Sequence, residues 1–342
     1  VLFVLILYFS SYLIVSSQGT AFGVGQLSSL ITYGFMMLMA LMMLSFVFAM
    51  IIIAEEGARR ICEILLATST INNPENPLTE VTDGSIDFEN VGFSYSGPEG
   101  REALSDVNLH IKSGEVIGII GGTGSAKSTL VQLIPRLYDV TAGSVSVGGH
   151  DVRDYDIDTL RGAVTMVLQK NVLFSGTIKE NLLWGNPDAT DEEILEAARL
   201  AQADSFVQTF PDKYETHIEQ GGNNVSGGQK QRLCIARALL KRPKVLILDD
   251  STSAVDTKTD SLIRASLKDY LPDTTKIIIA QRTSSIEESD KIIVLDNGRI
   301  NAIGTHEELL KDNPIYREVY FSQNKQSVDE NQSQEGEVTS HE

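Results

Sequence analysis

The first 54 residues contain no Asp, Glu, Lys or Arg; the first charge in the chain is Glu55. Val1 to Val15 and Leu27 to Ala54 are near-continuous apolar runs, separated by the small, polar, glycine-containing stretch Ser16 to Gln26. A soluble domain needs a solvated face and these runs offer none, so the pattern predicts two bilayer-crossing helices joined by a short turn. At ~1.5 Å per residue the first run falls short of a ~30 Å hydrocarbon core and reads as the remainder of a span, with further membrane helices expected upstream. The second run exceeds that thickness and must tilt or project. Its methionines Met36, Met37, Met39, Met42, Met43 and Met50 are most simply explained by packing against lipid and neighbouring helices. The span closes on Glu55-Glu56-Gly57-Ala58-Arg59-Arg60, whose paired arginines fit a cytoplasmic exit.

Beyond that boundary the period changes. Ile61 to Leu66 continues a helix, and Asn72-Asn73-Pro74-Glu75-Asn76-Pro77 breaks it. We read residues 1–70 as the last two helices of a membrane domain and 71–82 as a linker. From Ile86, short apolar strands separated by Gly, Asp and Asn turns give way to strands alternating with helices, which predicts an α/β domain with a parallel core sheet over residues 83–321. Residues 322–342 are polar, acidic and free of aromatics, and are expected to form a disordered tail. A net charge of −18 excludes a general nucleic-acid binder, which needs clustered cations. Two cysteines, Cys62 and Cys234, are too few and too far apart for a disulfide framework or a thiolate metal site.

Candidate chemistry sits in the second domain. The apolar run Val116 to Ile120 leads into Gly121-Gly122-Thr123-Gly124-Ser125-Ala126-Lys127-Ser128-Thr129 and then into Leu130 to Ile134: a buried strand, a glycine-rich turn and a helix start. In that setting backbone N–H groups and a helix N-terminus converge on one anionic spot. Lys127 would reach the β- and γ-phosphates of a nucleotide and the Ser128 hydroxyl would join Mg²⁺. Ala126 stands where the phosphate-loop pattern has a second glycine. If that position has a positive φ, the Cβ adds strain on the order of 1–2 kcal/mol and weakens nucleotide binding roughly tenfold. Downstream, the buried run Lys244 to Leu248 ends in Asp249, placed to hold Mg²⁺, and Asp250, placed to polarise attacking water. Between the two motifs lies Asn224-Val225-Ser226-Gly227-Gly228-Gln229-Lys230-Gln231-Arg232, opening an apolar helix through Ala238.

With that last motif the chain resembles the ATP-binding-cassette (ABC) exporters: the C-terminal part of an α-helical transmembrane domain fused to an α/β P-loop ABC ATPase domain with a helical subdomain. The resemblance implies that Tyr95 stacks on adenine and that Gln169 touches Mg²⁺ and reports the state of the site to the membrane helices. It implies that Ser253-Ala254-Val255-Asp256 form a loop crossing to a partner domain. Ser226, Gly227, Gly228 and Gln229 would bind, in trans, the γ-phosphate of an ATP held by the opposite subunit. Cofactors are then ATP and Mg²⁺, and the partners a second exporter half and membrane lipid, with the ATPase domain cytoplasmic and the plasma membrane as the default location.

The family usually has Glu where this chain has Asp250, His where it has Gln281, and Glu where it has Gln220. A carboxylate one methylene shorter retreats from a water that a base must meet at ~2.6–3.2 Å. Asp250 and Gln281 together resemble the degenerate member of a heterodimeric exporter, whose partner carries the complete catalytic site. A homodimer with two slow sites and a non-transporting ATP sensor are the alternative readings. The transported substrate is not encoded in these residues.

Overall fold

The charge-free start of the chain folds into two helices, α1 (Leu2–Ser16) and α2 (Val24–Leu65). The computed structural model describes residues 2–18, 20, 22–250 and 255–323. It divides into two units, residues 1–70 and 71–342. In the first, α2 starts three residues earlier than the apolar run suggests and passes without a break through Glu55 to Arg60. There Glu56 pairs with Arg59 at 2.9 Å and with Arg60 at 3.5 Å, one helical turn along. Phe3 of α1 lies 4.6 Å from Phe35 of α2, centroid to centroid, beside Gly34. A Cβ at Gly34 would come 3.3 Å from the Phe3 ring, so the missing side chain permits the close approach. Among the described residues α2 is the one helix long and apolar enough to cross a membrane; the 15 residues of α1 are not.

The second unit begins with the stretch expected as a linker, which is laid along the α/β body. Leu78 N–H donates to Asp154 O and Asp156 N–H to Leu78 O, at 2.8 and 2.9 Å. Asn73 accepts from Ile157 N–H through its side-chain oxygen at 2.9 Å.

Strands β1 (Ile86–Phe93), β2 (Leu104–Ile111), β4 (Ala142–Val147) and the two-residue β5 (His150–Asp151) form an antiparallel sheet in the order β2-β1-β4-β5. The larger sheet uses β3 (Val116–Ile120), β6 (Val164–Val167), β9 (Val245–Asp249), β10 (Thr275–Ile279), β11 (Lys291–Asp296) and β12 (Arg299–Gly304), in the order β12-β11-β3-β10-β9-β6. The five from β11 to β6 are parallel, and β12 closes the edge antiparallel to β11. Sheets covered on both faces take continuous apolar runs. β9 and β10 comply, every residue being buried. Lys276 is accommodated within β10 because its ammonium donates to Leu271 O and Thr274 O at 2.6 and 2.9 Å.

The connecting helices are α3 (Lys127–Gln132), α4 (Ile157–Ala163), α5 (Ile178–Leu183), α6 (Asp191–Leu200), α7 (Asp204–Val207), α8 (Gly227–Leu239), α9 (Thr257–Tyr270) and α10 (His306–Asp312). A short antiparallel pair, β7 (Gly176–Thr177) and β8 (His217–Ile218), joins the helical layer. That layer, α5 to α8, packs Leu182, Ile194, Ala198, Phe206 and Leu233 into one apolar cluster. Its starts are written in the sequence: Thr177 with Glu180, and Thr190 with Glu193, form reciprocal capping boxes. A last helical stretch covers 314–323, including the first two residues of the expected tail. The remainder of that tail lies outside the described residues.

Candidate nucleotide site

Parallel strands share one carboxyl edge, and open α/β sheets bind ligands there. β3 ends at that edge in the phosphate loop, β9 in Asp249 and Asp250, β6 just before Gln169, and β10 just before Gln281. Topology thus gathers four segments that are far apart in the chain.

The loop leaves β3 at Gly121, where any side chain is excluded: a Cβ would stand 2.2 Å from Leu295 O and 2.7 Å from Ser125 Oγ. Gly122 and Gly124 face open space, the latter at φ +81, and Thr123 is exposed between them. Ala126 precedes α3 at φ 72, ψ 26, in the left-handed region, without a side-chain cap. The condition set by the sequence for strain at this alanine is therefore met.

Lys127 folds back over the loop, its Nζ donating to Gly121 O and Gly122 O at 2.9 Å each. Partial burial lowers its pKa against the opposing pull of the Asp249 and Asp250 charges. Burial likewise raises Asp249, opposed by a hydrogen bond from Ser128 and the charge of Lys127. Asp250 is raised by burial and by its neighbour Asp249. Two amides oppose that rise: Gln169 Nε2 donates to Asp250 Oδ2 at 3.0 Å, and Gln281 Nε2 donates to the same oxygen at 2.7 Å. Asp250 itself sits at φ 47, a conformation that Asp enters more readily than most side chains.

Tyr95 is tied to the loop through its hydroxyl, 2.9 Å from Thr129 Oγ1, with its ring exposed. Phe93 and Tyr138 meet it edge-on at 4.8 and 5.2 Å, so the ring is held in place. Tyr138 was not singled out in the sequence; it lies beyond α3 with no local motif to mark it.

Does this set of residues suit a magnesium nucleotide? Ser125 Oγ is buried and has no hydrogen-bond partner, a polar atom turned into the loop. Among the described residues no three His, Cys, Asp or Glu side chains gather to hold a metal unaided. That suits Mg²⁺, which commonly takes one or two carboxylates and completes its shell with phosphate and water. Asp249, Ser128 and the side-chain oxygen of Gln169 would be the donors to such an ion.

The second motif is built differently. Ser226 N-caps α8, accepting from Gln229 N–H at 3.3 Å, while Gln229 Oε1 accepts from Ser226 N–H at 2.9 Å. Ser226 and Gly227 are exposed. Among the described residues nothing hydrogen-bonds Ser226, Gly227, Gly228 or Gln229 to the phosphate loop of the same chain. Behind them Arg232 donates to Gln202 O at 2.8 Å and stacks 4.6 Å over the Phe206 ring, fixing α8 to the helical layer. Of the loop expected to cross to a partner domain, Ser253 and Ala254 lie outside the described residues. Val255 is buried and Asp256 N-caps α9, accepting from Thr259 N–H at 2.9 Å.

Residues 104–253 match the ABC transporter family model, and the α/β unit is an ABC transporter ATPase domain. An uncharacterized ABC transporter ATP-binding protein of Mycobacterium bovis is 44% identical over 305 residues, covering 88% of this chain and 52% of that protein. A Staphylococcus aureus protein, named provisionally as a multidrug export ATP-binding/permease protein, is 45% identical over 245 residues, 72% of this chain and 42% of its own length. The solved structure of a bacterial Atm1-family ABC exporter with ATP bound superposes with a TM-score of 0.75 at 33% identity, covering 90% of this chain and 54% of that one. The chain spans about half the length of the curated relatives it matches.

Proposed function

We propose that the chain is the C-terminal part of one half of an ATP-driven exporter, embedded in the cell membrane through its N-terminal helices, with its own nucleotide site slow. The carrying observation is the cluster of Gln169, Asp250 and Gln281, in which both amides occupy one oxygen of a shortened carboxylate.

In this reading ATP lies along the phosphate loop, its base against Tyr95. Lys127 exchanges the Gly121 and Gly122 carbonyls for phosphate oxygens, and the backbone N–H groups ahead of α3 receive the rest of the charge. Asp249, Ser128 and Gln169 would hold Mg²⁺, which would supply charge neutralisation to the bound phosphates. Asp250 orients the attacking water from a retracted position. Gln281 donates a hydrogen bond where a histidine could also carry charge. The exposed Ser226, Gly227, Gly228 and Gln229 serve the site of a second exporter half, most simply a different subunit with the complete catalytic pair. Closure of two such domains on ATP would drive the membrane helices and export an apolar substrate such as a drug, lipid or peptide.

Steady-state ATPase activity tests this, with the full-length protein alone and with its partner, comparing the parent with Asp250→Glu plus Gln281→His. An inert single protein, an active complex and added turnover on restoring both residues support the reading. Brisk hydrolysis by the unaltered protein alone overturns it in favour of a self-sufficient homodimer.

A further inference from the structure

The loop that carries Gln281 is gripped from two sides. β10 ends at Ile279, and a short 3₁₀ turn follows at Thr283–Ser285. Backbone groups need partners outside a regular ladder once a strand has ended, most of all at the buried Thr283 and Ser285. On one flank α9 supplies them: Arg264 donates to Ser285 O at 3.0 Å and to the exposed Ser284 O at 3.3 Å, and Asp260 accepts from Ser285 Oγ at 3.1 Å.

On the other flank the partner comes from the helical stretch 314–323. Gln323 Oε1 accepts from Thr283 N–H at 2.9 Å and from Thr283 Oγ1 at 3.2 Å, while Gln323 Nε2 donates to Gln281 O at 2.7 Å. A primary amide offers a donor and an acceptor on one rigid plane, so it pairs with two main-chain groups across Arg282 as a neighbouring peptide would.

The helical stretch 314–323 is fixed for this task. Tyr316 is fully buried, its hydroxyl 2.7 Å from His306 Nδ1 and its N–H donating to Asn313 Oδ1 at 2.9 Å. Asn313 in turn donates to Asn301 at 2.7 Å, on β12. Gln323 follows Tyr316 by about two helical turns, roughly 10 Å along the axis, and arrives on the loop from an anchored base.

We propose that Gln323 is a positioning residue for Gln281: the helical stretch 314–323 clasps the backbone of the residue whose side chain meets Asp250. One side-chain amide holds Gln281 from behind while the Gln281 amide holds the reactive carboxylate in front. Releasing the clasp lets Gln281 leave Asp250 without disturbing the phosphate loop, so turnover changes and ATP binding does not. The effect on turnover rests on the proposed function; the clasp itself does not.

The test compares full-length parent, Gln323→Ala, Gln281→Ala and the double variant. Gln323 is partly exposed, so each protein should fold, and thermal unfolding checks this. Hydrogen–deuterium exchange without nucleotide should show residues 280–287 exchanging about tenfold faster in Gln323→Ala, with the phosphate loop unchanged. Single-turnover hydrolysis at this chain's site, read in the complex with its partner half, should slow several-fold with ATP affinity within about twofold, and Gln323→Ala should add nothing in the Gln281→Ala background. Unchanged exchange at 280–287, or fully additive losses, overturns the proposal. Failure of the parent to bind a fluorescent ATP analogue overturns the proposed function instead, leaving the exchange result to judge the clasp.

Discussion

Two helices of the ATPase domain begin at glycine-rich motifs, and they begin in opposite ways. α3 starts after Ala126, left-handed at φ 72 and without a side-chain cap. α8 starts after Ser226 at φ −67, ψ 161, inside a reciprocal capping box. A helix leaves its first N–H groups unpaired, and something must receive them. At α8 the protein supplies part of that need from Ser226 itself. At α3 it supplies none, and the loop holds a conformation that costs an alanine roughly 1–2 kcal/mol. In the proposed reading, the difference separates a loop whose helix start is left for a phosphate from a surface whose helix start is capped by its own serine.

The sharpest way to break the comparison is Lys127→Ala. Loss of one charged donor to the transferring phosphate should lower turnover at this chain's site by about 10²–10³. Turnover at a partner's site served by Ser226 should persist, and ATPase assays of the mixed complex would read both. If both sites fail together, the two motifs are not independent.

Ala126→Gly comes next. It removes the left-handed strain, against a backbone entropy cost of ~0.5–1 kcal/mol. Equilibrium unfolding should show net stabilisation of up to about 1 kcal/mol. ATP titration should show tightening up to roughly tenfold, because the same Cβ stands where backbone meets phosphate. The equivalent change at the other helix has the reverse sign: Ser226→Ala should cost about 1 kcal/mol through the lost cap. ATP affinity of this chain's own site should stay as it was.

The smallest effect is one of pH. Burial raises Asp249, so between its ordinary value of 3.8 and its raised folded value the native state binds more protons than the unfolded state. Stability of the nucleotide-free protein therefore falls as pH rises through that window, and stays lower above it. Asp249→Asn should flatten the slope and raise the melting temperature at neutral pH, while abolishing any extra stabilisation of the ATP-bound protein by Mg²⁺. Thermal unfolding across the acidic range, with and without MgATP, measures both.

Much of the architecture was legible in advance because its signals are local. A buried five-residue run before a glycine turn marks β3 and its loop, a buried run ending in two acids marks β9, and Ser226 three residues before Gln229 marks the start of α8. The sense of the strain at Ala126 followed from the residue type once its φ was seen. What could not be read is contact across sequence distance. Gln169 and Gln281 lie 81 and 31 positions from Asp250 and meet on one oxygen because β6, β10 and β9 are parallel neighbours. The left-handed backbone of Asp250 and the amide of Gln323 on Thr283 carry no mark of their own in the sequence.

The uninterrupted run of α2 has a mechanical consequence. Its 42 residues make a rod of about 63 Å at ~1.5 Å per residue, roughly twice the depth of a hydrocarbon core. A rod converts angle into distance: a swing of about 10° at one end carries the other through roughly 11 Å. That is several hydrogen-bond lengths of travel. The mixed charges of Glu55 to Arg60 lie on the same unbroken helix, so a tilt of its membrane part would be passed to them as leverage.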